Sequence, residues 1–287
     1  MTGFSCEDLF GKNSLRRFLD FYEIRTDRSK GQHFLIDRSA LETISGAAGQ
    51  GKTVLEIGAG VGTLTCLLKK NFSRTFAVEI DEGFRTPFSN VNPEETVRFV
   101  NRSFLNLDFA ELGLEPDGKS VLAGNIPYNI TGQVLDRTVE GRDYFSRAVF
   151  TVQREVAQRI LAEPGTRVCG SITYYVKAYA EVNHLLDIHA ESFYPPPRVD
   201  STAVEIVFKN GKNFVSSDSI LLPLIRELFN YRRKTLRKGL SLIRKFSLKK
   251  DEINLVLTNA DIDPRKRPEE LTLEDFDRLA GEIDRRN

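Results

Sequence analysis

The chain has 287 residues, 40% of them hydrophobic and 28% charged, enough to bury a full core and to build one large domain beside a smaller one. A net charge of +1 excludes a protein that is basic over its whole surface, and no run approaches the roughly 18 apolar residues of a membrane span. Three scattered cysteines (Cys6, Cys66, Cys169) and three histidines fit neither a disulfide framework nor zinc spacing, so no disulfide and no metal site is expected.

The first residues, Met1 to Asp8, lack the basic and apolar regions of a secretory signal, which points to a cytoplasmic protein. A polar and basic stretch from Arg25 to Asp37 closes on Gly31-Gln32-His33-Phe34-Leu35, and a helix is predicted over 39–47. Strands are predicted over 53–57, 75–79, 96–101, 120–123 and 148–152, with a helix over 63–70 after the first. Short apolar strands alternating with helix-sized segments imply βαβ units and a mostly parallel, helix-covered sheet. Two more strands, 181–188 and 201–209, flank Tyr194-Pro195-Pro196-Pro197-Arg198, whose prolines cannot continue a ladder.

Beyond Asn210-Gly211-Lys212-Asn213 the pattern turns helical. Ile225, Phe229, Leu236, Leu240 and Ile243 share one side at about 100° per residue if a single helix runs through Gly239. Thr272 is placed to cap a last helix that reaches Ile283. The domains are therefore expected at 1–209 and 210–287, the second small and all-helical. From Arg226 to Lys250 there are ten Lys/Arg and one acid, Glu227, which makes a local basic surface on an otherwise acidic body.

Two constellations carry chemistry. Val54-Leu55-Glu56-Ile57-Gly58-Ala59-Gly60-Val61-Gly62 is a glycine-rich strand-to-helix turn, and Glu79 ends the following strand 17 positions after Gly62, a spacing suited to holding a nucleotide ribose. Asn125-Ile126-Pro127-Tyr128 combines a carboxamide, a carbonyl in a stiff turn and an aromatic face, the equipment for gripping the amino group and ring of a flat heterocycle. An amino-acceptor motif beside a nucleoside site fits S-adenosylmethionine better than NAD. In that reading the Asn125 side-chain oxygen and the Pro127 carbonyl accept the two N–H bonds of the heterocycle's amino group, and Tyr128 stacks on the ring. Phe34 is either a second stacking face or a core residue.

These motifs, with Gln153-Arg154-Glu155-Val156, Pro195-Pro196-Pro197-Arg198-Val199-Asp200-Ser201 and Phe229-Asn230-Tyr231-Arg232-Arg233-Lys234-Thr235, resemble in order those of the small-subunit ribosomal RNA adenine N6,N6-dimethyltransferases. The resemblance runs from Gly31 to the C-terminus. It implies a Rossmann-like, S-adenosylmethionine-dependent methyltransferase sheet followed by a small helical domain. It also implies that Gly58 and Gly60 lie beside the cofactor, that Glu79 holds its ribose, that Leu35 and His33 contact it from the N-terminal loop, and that Asn125 borders it. Where the family commonly has Asp to receive the cofactor's adenine amino group, this chain has Ser103, and where it usually has Asn the chain has His33. The implied partner is small-subunit (16S) rRNA in a pre-ribosomal particle, met by a monomer without a membrane, with Arg232 and Arg233 as leading RNA contacts. An erythromycin-resistance-type methyltransferase of large-subunit rRNA and a non-catalytic nucleic-acid-binding relative are the alternatives.

Overall fold

A computed structural model describes residues 3–27, 31–209, 214 and 216–286. The expected junction at Asn210-Gly211-Lys212-Asn213 lies outside the described residues. The chain divides into two units, Met1–Ala157 with Val182–Phe208, and Gln158–Glu181 with Lys209–Asn287. Residues 158–181, read from sequence as part of the sheet domain, therefore group with the helices.

The first unit contains α1 (Lys12–Phe21), β1 (Phe34–Leu35), α2 (Arg38–Ala48), β2 (Gly51–Ile57), α3 (Thr65–Leu68), β3 (Phe72–Glu79), α4 (Arg85–Val91), β4 (Val97–Asn101), β5 (Ser120–Asn125), α5 (Thr131–Glu140) and β6 (Phe145–Gln153). After α6 (Arg154–Leu161) and α7 (Ser171–Lys177), strands β7 (Ala180–Ile188), β8 (Phe193–Tyr194) and β9 (Ser201–Phe208) follow. Seven strands pair in the order β4-β3-β2-β5-β6-β9-β7. The first five are parallel, and β9 returns antiparallel to β6. Val54, Leu55, Ala77, Leu122, Ala123 and Val149 are buried, as strands covered on both faces require. Chain order reverses between β2 and its neighbour β5, so the loops leaving their carboxyl ends diverge and open a crevice there.

Strands β2, β3, β5, β6 and β7 extend the predicted ones by one to three residues at an end and β4 and β9 fall one residue short, while the helix expected over 63–70 shortens to α3, with turns on either side. Helix α1 has no counterpart in the sequence reading, although Leu15, Phe18 and Leu19, all buried, carry the i, i+3, i+4 spacing that marks it. The expectation of no disulfide is also corrected, because Cys6 and Cys66 are joined. Their separation of 60 residues has no local signature; packing of the N-terminal segment against α3 brings them together.

In the second unit α7 joins α8 (Asp218–Asn230), α9 (Leu236–Leu240), α10 (Lys250–Asn259) and α11 (Leu273–Asp284) around a buried apolar core. Tyr174 explains why α7 belongs here: its ring packs on Phe229 and Phe276, and its hydroxyl donates to the Leu271 carbonyl at 2.7 Å. The single helix projected through Gly239 is two helices. The chain turns at 231–235, where Lys234 N–H returns to the Tyr231 carbonyl and the Thr235 hydroxyl caps α9 by accepting from Lys238 N–H. Gly239 permits close packing instead of breaking the helix, since a Cβ there would stand 3.0 Å from Leu228 Cδ2. Ile225, Leu236, Leu240 and Ile243 are buried all the same, and Thr272 caps α11 by accepting from Asp275 N–H.

Candidate active site

The crevice at the β2/β5 switch is lined from several strand ends at once. Gly58 and Gly60 come from the turn after β2, Glu79 from the end of β3, Ser103 from just beyond β4, Asn125 from the end of β5 and Pro127 from the turn after it. The segment 31–35 closes another side with His33, Phe34 and Leu35. That segment is held by β1, which pairs antiparallel with β8 through Phe34↔Tyr194 and Leu35↔Phe193. Gln32 ties it to the end of β3 by donating to Asp81 Oδ2 at 3.1 Å. The seven residues expected at the cofactor (His33, Leu35, Gly58, Gly60, Glu79, Ser103 and Asn125) thus line one cavity, joined by Pro127 of the expected acceptor set but not by Tyr128.

Glycine at position 60 is required twice over. Its φ is +54°, and a Cβ would lie 2.7 Å from Phe34 Cε1. Phe34 is accordingly a buried wall, edge-on to Phe84 across 5.7 Å, which settles it as packing rather than a free stacking face. The N–H of Gly60 donates to Glu79 Oε2 and that of Asp81 to Glu79 Oε1, both at 2.9 Å. A carboxylate offers about four acceptor positions, more than its backbone donors fill here. Burial pushes the Glu79 carboxyl above its ordinary value, and these N–H groups pull it back.

Ser103 does two things: it lines the cavity, and its Oγ accepts from Leu105 N–H at 3.3 Å as the cap of a short 3-10 turn.

On the acceptor side Asn125 is oriented by a distant carbonyl. Its Nδ2 donates to His33 O at 2.7 Å, which leaves Oδ1 buried and without a partner. An orphaned buried acceptor in a cavity is a site waiting for a donor. Beside it Thr151, paired with Asn125 across β5 and β6, also leaves its hydroxyl unpartnered. The Pro127 carbonyl is engaged, accepting from Ile130 N–H and Thr131 Oγ1, both at 3.2 Å. Thr131 Oγ1 has an alternative acceptor in the Tyr128 carbonyl at 3.4 Å. Tyr128 stands outside the cavity lining, half-buried, with its hydroxyl 2.8 Å from Ser201 Oγ.

Sequence reasoning did not single out Glu56. It is 2% exposed, lines the same cavity and accepts from the Thr65 hydroxyl. Burial, with the charge of Glu79 adding to it, pushes its carboxyl up to about 8. An acid near the end of an otherwise apolar buried strand was the available signal.

In the helical unit, Arg233, Lys234, Arg237, Lys238, Arg244, Lys245, Lys249 and Lys250 form no ion pair among the described residues, whereas cations elsewhere often do. Thr235, Arg237, Lys238, Ser241 and Lys250 rim a groove floored by Leu248 and Ile253. Arg232 is less available than expected, because its Nη2 donates to the Arg167 carbonyl at 3.4 Å.

The family model described as ribosomal RNA adenine dimethylase matches residues 24–282. A Clostridium botulinum protein named ribosomal RNA small subunit methyltransferase A is 33% identical over 270 residues, covering 92% of this chain and 96% of that one. Among solved structures, a dimethyladenosine transferase from Plasmodium falciparum superposes with a TM-score of 0.72 at 24% identity, over 87% of this chain and 96% of that one. The 23S rRNA methyltransferase ErmE follows at 0.64 and 20% identity, over 88% and 99%. These two structural likenesses speak for the fold.

Proposed function

Since this chain belongs to the ribosomal RNA adenine dimethylase family, we propose that Glu79 and the glycine turn hold S-adenosylmethionine while Asn125 and the turn after it hold the target adenine. The enzyme transfers methyl groups from that cofactor to N6 of adenines in small-subunit (16S) rRNA, giving N6,N6-dimethyladenosine during ribosome biogenesis. The residues fit the cofactor: the Glu79 carboxylate keeps acceptor capacity for ribose hydroxyls beyond its backbone donors, and Gly58 and Gly60 leave the backbone bare beside it. His33, Leu35 and Ser103 complete the enclosure.

Bound S-adenosylmethionine supplies an electrophilic methyl carbon. The chain's own task is to present a poor nucleophile, an exocyclic amine whose lone pair is delocalised into the ring. The observation that carries the reading is the orphaned Asn125 Oδ1, which accepts one N6–H and so favours positive charge developing on nitrogen. The Pro127 carbonyl takes the second N–H once the Thr131 hydroxyl turns to the Tyr128 carbonyl. Tyr128 supplies the stacking face that aligns the base. No carboxylate or imidazole base is needed, because the methylated nitrogen is acidic as soon as it forms.

A target adenine within paired RNA must be turned out of its stack to reach this crevice. The unpaired cations between 233 and 250 hold phosphates, and RNA shape selects the site. A monomer acting in the cytoplasm on a partly assembled small-subunit particle suits a local basic surface on a near-neutral protein. Among the described residues no helix is long and apolar enough to cross a membrane. Mass mapping of dimethyladenosine in both ribosomal RNAs, from cells with and without the gene, tests the assignment. Loss of the mark from small-subunit rRNA is expected, and loss confined to the large subunit overturns it.

A further inference from the structure

The segment 195–201, which is the loop between β8 and β9 with the first residue of β9, fastens a ring at each of its ends. At the first, the Pro195 carbonyl accepts from His33 Nδ1 at 2.7 Å; a carbonyl only accepts, so the imidazole proton sits on Nδ1. At the last, Ser201 Oγ lies 2.8 Å from the Tyr128 hydroxyl. Between them Asp200 pins the loop: its Oδ1 accepts from Ala190 N–H, its backbone carbonyl accepts from Arg154 N–H, and its carboxylate pairs with the Arg154 guanidinium at 3.2 Å. The two rings it fastens lie nearly parallel, 22° apart in plane and 5.8 Å between centroids.

Ser201 is fully buried at the start of β9, in register with Gln153 of β6. Nothing about that strand position asks for a hydroxyl, since alanine or valine would serve the ladder and the burial equally well. The one side-chain partner of its hydroxyl among the described residues is Tyr128. A tyrosine without such a tether rotates about its side-chain torsions and must be ordered each time a base stacks on it, a cost that pre-organisation removes.

We propose that Ser201 is a positioning residue for methyl transfer, holding Tyr128 by its hydroxyl so that the ring presents a fixed face to the acceptor base. The segment 195–201 thereby sets the spacing of Tyr128 and His33, and so links the cofactor-side segment 31–35 to the acceptor motif. This rests on the reading of Tyr128 as the stacking face.

Steady-state methylation of unmethylated small-subunit particles by Ser201→Ala, Tyr128→Phe and the double variant tests it. Each single change removes the same hydrogen bond, so each should lower kcat about fivefold, as loss of one such bond of roughly 1 kcal/mol predicts. The double variant should be no slower than either single, and KM for S-adenosylmethionine should stay at the wild-type value. A wild-type kcat for Ser201→Ala, or a double loss equal to the product of the two singles, overturns the proposal. If circular dichroism shows Ser201→Ala unfolded, Tyr128→Phe decides alone, and a wild-type kcat there is equally fatal. Tyr128→Ala separates the underlying reading: full activity in that variant rejects the stacking role itself, whereas inactivity beside a fully active Ser201→Ala rejects only the tether.

Discussion

Replacing Glu56 by glutamine should make the stability of the sheet unit less sensitive to pH. The folded protein keeps the Glu56 carboxyl protonated up to about 8, whereas in the unfolded chain it ionises near its ordinary 4.5. Because the folded-state value is raised, the contribution is fully present below about 4.5 and is lost as pH rises towards 8. Above that pH both states are ionised and the curve flattens. Each pH unit in the window costs about 1.4 kcal/mol, so between pH 5 and 7.5 wild type should lose about 3 kcal/mol relative to Glu56→Gln. Glutamine mimics the protonated acid, and its amide oxygen can still accept from the Thr65 hydroxyl. Urea unfolding of both proteins at several pH values, followed by circular dichroism, reads the difference directly. A gap that stays constant across this range would refute the reasoning and mean that Glu56 ionises in place.

Three further outcomes are expected. Glu79→Ala should weaken S-adenosylmethionine binding at least about tenfold in calorimetry, because two charge-assisted bonds to the ribose are lost, and unchanged affinity would remove Glu79 from the site. Asn125→Ala should slow methyl transfer at least about tenfold, or roughly 1.4 kcal/mol of barrier, while cofactor affinity holds; an equal loss in both would mean that Asn125 serves the cofactor instead. Replacing Arg233 and Arg237 together by alanine should weaken RNA binding and make the slope of log affinity against log salt shallower by about 1 to 2, with the helical core intact. Wild-type affinity and slope would place the RNA on another surface.

Much of the sheet was legible because its strands are buried on both faces and so read as apolar runs such as Val121-Leu122-Ala123. The glycine turn and Glu79 were legible because backbone approach and ribose binding restrict residue type at fixed spacing. What escaped depended on partners far away in the chain. The direction of the Asn125 amide is set by the carbonyl of His33, the Tyr128 hydroxyl by Ser201, and the ionisation of Glu56 by burial that no window of sequence reports. The break at 231–235 escaped because its helices share one apolar stripe, so periodicity alone ran through the turn. The place of 158–181 escaped because Tyr174 finds its aromatic partners in α8 and α11, more than a helix length away in sequence.

The Cys6–Cys66 bond turns the first part of the chain into a covalent ring. That ring contains α1, segment 31–35, α2 and β2 with its glycine turn, which means that one whole wall of the crevice lies inside it. Unravelling from the N-terminus can therefore proceed only as far as Cys6 while the bond is intact. On a chain-entropy view, closing a ring of this length removes freedom from the unfolded chain worth about 4 kcal/mol. Cleaving it would return that freedom to the unfolded chain and so lower the stability of the fold that carries this wall by a comparable amount.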